Sequence, residues 1–109
     1  MKLQNDALLT QLGYSVTEGT LKDLEIIANN TNGFDNIKNH IVALNDHLKV
    51  LDAYVAMSNS NPYLKIKIIA NEPEKITAAK EEINKWAEKY KVELKQVNDK
   101  TYYILGVEK

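Results

Sequence analysis

The 109-residue chain has no cysteine and no arginine, and it is sparing with glycine, proline, tryptophan and phenylalanine. Each shortage removes a class of chemistry. Without cysteine there is no disulfide, no thiolate nucleophile and no cysteine-ligated zinc. All 14 basic residues are lysine, so the planar bidentate fork that reads carboxylate, phosphate and guanine edges is missing. An AT-rich genome accounts for this and for the 12 asparagines, but the chemical exclusion holds whatever its origin. The four glycines are scattered and build no phosphate-cradling loop. No run approaches the ~18 apolar residues of a membrane span. The first six residues lack the apolar core of a signal peptide, so a cytoplasmic protein without a membrane partner is expected.

What is present belongs to an ordinary globular chain: 44% hydrophobic and 27% charged residues, with a net charge of -1. The length predicts one domain, residues 1–109, with a helical subregion 1–58 and a second subregion 63–109. The first carries four lysines against seven acids (-3) and the second ten lysines against eight acids (+2). Differences this small are those of solvated faces.

Hydrophobic periodicity predicts an α+β fold, with N-terminal helical segments, two short and one long, packed on a βαββ unit with a three-stranded sheet. The first helix spans about Gln4 to Leu12 and stops at Gly13. Ser15-Val16-Thr17-Glu18 has the form of a capping box, and Leu21, Leu24, Ile27 and Ala28 make one face of the helix that follows. Asn29-Asn30-Thr31-Asn32-Gly33 ends it, and its Asn-Asn-Thr is a chance match to the glycosylation pattern. The long helix is predicted from about Asp35 to Met57, on the seam Ile37, Ile41, Leu44, Leu48, Leu51 and Val55. Val50, Ala53, Tyr54 and Met57 form a second apolar set near its end, so that end is expected to be buried on two sides.

Ser58 to Pro62 separates this helical period from the alternation of Tyr63 to Ile69. It reads as a corner folding the long helix onto the sheet. Leu64, Ile66 and Ile68 share one strand face, and Tyr63, Lys65, Lys67 and Ile69 the other. Asn71, Pro73 and the acids beside them open a helix with a buried stripe of Ile76, Ala79, Ile83, Trp86 and Tyr90. Glu81 and Lys85 are spaced as an i,i+4 pair on its outer side. Two strands follow, Val92 to Val97 and Thr101 to Val107, joined through Asn98-Asp99-Lys100. A right-handed crossover puts the helix on one sheet face. The last strand is apolar on both sides, so something must cover the second face. The long helix is the first candidate, and a second copy of the chain is the other.

No catalytic constellation emerges. His40 and His47 lie two turns apart, roughly 10 Å, too far to share a metal ion. Asp52 is the one acid in the apolar helix end, where true burial would raise its pKa. Residues 20–41 have the outline of a helix–turn–helix, with Asn36, Lys38, Asn39 and His40 opening the second helix, but Asp35 stands where phosphate would approach. The first reading is therefore a small non-enzymatic protein–protein interaction or assembly module, a homodimer or partner to another protein, with no cofactor and no metal. Its interaction residues are Val50, Tyr54, Met57, Tyr102 and Ile104. The second reading is a weak single-stranded nucleic-acid binder that uses Tyr63, Lys65, Lys67 and Tyr102, joined by Lys95, on one sheet face. Against it, tyrosines are ordinarily core residues with wet hydroxyls and lysines guard sheet edges.

Overall fold

A computed structural model describes residues 4–58 and 61–107; Asn59 and Ser60 of the predicted corner lie outside the described residues. Four α-helices and four strands follow in the order α1 (Asn5–Gln11), α2 (Glu18–Asn30), α3 (Phe34–Leu48), β1 (Ala53–Met57), β2 (Leu64–Ile68), α4 (Pro73–Tyr90), β3 (Val92–Asn98) and β4 (Thr101–Val107). The class is α+β and the sheet is antiparallel, with four strands in the order β1-β2-β4-β3 rather than the three expected. β4 is inserted between β2 and β3 and runs against both, which leaves β2 and β3 parallel to each other.

The fourth strand comes from the segment predicted as the end of the long helix. The helix stops at Leu48, continues as a single 3-10 turn over Lys49–Leu51, and is broken at Asp52, which adopts φ 54, ψ 51. Aspartate tolerates this left-handed conformation better than most side chains. The Asp52 carbonyl then accepts the amides of Ile69 and Ala70, which binds the break to the far end of β2. Ala53-Tyr54-Val55-Ala56-Met57 is short enough to satisfy both a helical and a strand period, and pairing with β2 decides between them. Consequently β1 and β2 form an antiparallel hairpin, and no helix-to-sheet corner precedes β2; the Ser58 amide donates to the Tyr63 carbonyl where the two strands end.

Two further boundaries shift. Thr17, not Ser15, caps α2, and it exchanges reciprocal hydrogen bonds with Thr20. Glu72 holds the N-cap position of α4 without a side-chain bond, followed by Pro73 in the first turn.

One hydrophobic cluster joins both subregions. It runs from Leu8, Leu9, Leu24 and Ile27 through Ile37, Ile41, Leu44 and Leu48 of α3 to Ala79, Ile83 and Trp86 of α4. The sheet contributes Val55, Leu64, Ile66, Ile68, Val92, Tyr102 and Ile104. Alternation puts these sheet residues on one face, so α3 and α4 pack on the same side. The long helix therefore does not cover the second face. On that face Tyr54, Ala56, Lys65, Thr101, Tyr103 and Leu105 are half-buried, and Lys67, Lys95 and Val97 are exposed.

The free edge of β1 is closed by side chains. The Val55 amide donates to Asn45 Oδ1 at 2.9 Å and the Met57 amide to the Tyr14 hydroxyl at 2.9 Å. Asn45 is buried, so its loss strands a backbone donor away from water. Asn45→Ala is expected to lower the unfolding free energy by about 1–3 kcal/mol, measured by urea denaturation. A change within a few tenths of a kcal/mol means that this edge has another partner.

Candidate functional site

Strand register determines which side chains share the uncovered face. Ala56 of β1 stands opposite Lys65 of β2, Lys65 opposite Tyr103 of β4, and Tyr103 opposite Lys95 of β3. The next row runs Tyr54, Lys67, Thr101, Asn98. Tyr103 is thus bracketed by two lysines, each one strand spacing away, about 4.8 Å. Lys67 follows Lys65 on the same side of β2, about 6.6 Å along the strand. Neither row contains a carboxylate. Lys65, Lys67 and Lys95 form no ion pair among the described residues.

The aromatic part is built by the hairpin loop. Tyr63, the last loop residue, stacks on Tyr103 with ring centroids 5.7 Å apart and planes 28° from parallel. Asn61 Nδ2 donates to the Tyr103 hydroxyl at 2.8 Å, and the Ser58 hydroxyl lies 3.5 Å from it. The loop therefore holds the ring pair against the sheet. Beside it Lys65, Lys67, Val97, Thr101 and Tyr103 line a shallow trough of about 530 Å³.

Tyr63, Lys65 and Lys67 thus come together as the second reading requires, but Tyr102 does not join them. Its side chain lies in the core, 6% exposed, and burial pushes its hydroxyl pKa up. Tyr103 occupies the place assigned to Tyr102. The sequence left the choice open because both sides of β4 are apolar. Pairing decides it: Tyr102 stands opposite Ile66 and Ile104 opposite Leu64, both core residues of β2.

The protein–protein residue set is dispersed. Ile104 is fully buried beside Tyr102 in the core, so neither can meet a partner. Val50 is 75% exposed in the 3-10 turn, whereas Met57 is half-buried at the opposite end of β1. Only Tyr54 reaches the uncovered face.

The remaining candidates also find places. Asp52 is exposed and paired to Lys75 at 2.9 Å. This hydrogen bond and the carboxylate charge hold the Lys75 ammonium above its usual pKa. Lys38 is buried along its stem and bonded to Asp35, and Asn32, just before α3, is docked on β4. Of the other residues that open α3, Asn36 and Asn39 are exposed and His40 is half-buried. His40 and His47 both turn towards α4. Among the described residues no three histidine or carboxylate side chains gather to hold a metal ion, and no helix is long and apolar enough to cross a membrane. Comparison with protein-family models, with curated proteins and with solved structures finds no match in any of the three.

Proposed function

We propose that this protein is a non-enzymatic binding module that holds single-stranded nucleic acid on the uncovered face of its sheet. The observation that carries this reading is the row Lys65–Tyr103–Lys95, with Tyr63 stacked on Tyr103 and Lys67 alongside. Aromatic rings on an open sheet stack unpaired bases, and flanking ammonium groups neutralise phosphates. The absence of arginine removes its bidentate fork for guanine edges, and the contacts this row offers, ring stacking and lysine–phosphate pairing, are tolerant of sequence. A net charge of -1 gives no long-range attraction, so affinity rests on this local patch.

Titration of a fluorescent single-stranded oligonucleotide at low salt tests the proposal. With three phosphate contacts, the logarithm of affinity should fall against the logarithm of salt with a slope of about -2. A duplex of the same sequence should bind more weakly, since its bases are already stacked. No binding to the single strand at low salt removes the reading.

A further inference from the structure

The helical layer carries a second candidate site, independent of the sheet face. A cleft of about 250 Å³ runs between α3 and α4. Its floor is aromatic. The His40 ring lies on the Tyr90 ring, with centroids 3.8 Å apart and planes 18° from parallel. Trp86 meets Tyr90 edge-on at 6.1 Å and is anchored by its indole N–H, which donates to the His40 carbonyl at 3.0 Å. Leu44 and Ala43 extend the apolar surface.

The rim is cationic. Lys85 and Lys89, one turn apart on α4, both line the cleft and form no ion pair among the described residues. The pairing of Lys85 with Glu81 expected from their spacing is not made, and Lys89 Nζ stands 5.4 Å from the Tyr90 ring centre. The one carboxylate in the cleft, Glu82, is engaged by His47 Nε2 at 3.2 Å. Two lysines thus line an aromatic cleft, and neither is within ion-pair distance of a carboxylate among the described residues.

We propose that this cleft binds a small aromatic anion, one ring with a carboxylate. The ring packs on the floor of Trp86, Tyr90 and His40, and the carboxylate meets Lys85 and Lys89. The volume sits at or below the small end of ligand pockets, which suits a single ring and not a larger cofactor. The Glu82–His47 pair closes one end of the cleft.

The chain's single tryptophan lies in the cleft, so its fluorescence reports occupancy directly. Benzoate is the probe, with benzyl alcohol and inorganic phosphate as controls, and amide chemical shifts locate the binding. Saturable quenching by benzoate is expected, with shifts confined to residues 40–47 of α3 and 82–90 of α4. Lys85→Gln with Lys89→Gln should weaken it about tenfold or more. Both side chains are exposed, so the variant is expected to fold, and its unchanged thermal midpoint checks this. Benzyl alcohol binding as well as benzoate overturns the role of charge. Phosphate binding as well as benzoate overturns the role of the aromatic floor. No saturable response to any probe overturns the site. None of these results bears on the sheet face, which is read by oligonucleotide binding alone.

Discussion

Replacing Gly106 by alanine is expected to lower the unfolding free energy by about 3–5 kcal/mol, a large share of the stability of a domain this size. Gly106 has φ +130, a backbone conformation that side chains rarely adopt. A Cβ built there falls 2.5 Å from the Asn32 amide nitrogen and 2.6 Å from its carbonyl oxygen. Both are backbone atoms and cannot rotate aside. Asn32 and Gly106 form a parallel bridge, in which the Val107 amide donates to the Asn32 carbonyl at 2.8 Å and Asn32 Nδ2 donates to the Val107 carbonyl at 2.9 Å. The alanine must push this contact apart and detach the α2–α3 turn from β4. Gly13→Ala is the control. It too has a positive φ, +89, but nothing lies within 4 Å of its added Cβ, so only the local strain of ~1 kcal/mol applies. Urea unfolding followed by circular dichroism compares them. Equal losses in the two variants would show that the Asn32–Gly106 junction holds nothing together.

The second large effect is on binding. Changing Lys65, Lys67 and Lys95 together to glutamate should reduce affinity for a single-stranded oligonucleotide by about 100-fold or more. Each lysine at an anionic surface contributes about 1 kcal/mol, and reversal of charge replaces the attraction by repulsion. The three side chains form no ion pair among the described residues, so the folded state loses no charge partner. A surface substitution of this kind changes stability by about 0.5 kcal/mol at most per site. A triple variant that folds with its wild-type midpoint and binds with wild-type affinity would remove the sheet face from the function.

Much of the α+β arrangement was legible because most elements have a single consistent period. The 3-4 spacing of Ile76, Ala79, Ile83, Trp86 and Tyr90 gives α4, and the alternation of Leu64, Ile66 and Ile68 gives β2 with its core face. β1 was hidden because Leu48, Leu51 and Val55 continue the helical seam across the break. The only local sign of that break is an aspartate, and its left-handed conformation is stabilised by partners near residue 69, distant in sequence. Sheet order was hidden for a related reason. Insertion of β4 between β2 and β3 depends on long-range pairing that no local pattern encodes.

The site was half legible. Lys65 and Lys67 alternate with buried residues and so had to face outward, while Tyr103 and Lys95 join them only through register. The cleft between α3 and α4 was not legible. Seven-residue spacing puts His40 and His47 on one side of a helix, but nothing in the spacing tells that α4 lies against that side.

The central claim is that the uncovered sheet face is the binding surface, and amide chemical-shift mapping during titration with a short single-stranded oligonucleotide at low salt tests it most directly. The account predicts shifts concentrated at Tyr63, Lys65, Lys67, Lys95, Thr101 and Tyr103, with α1 and α2 unaffected. Saturable binding whose shifts fall on the helical layer, or no shift on the sheet at any concentration, would contradict it.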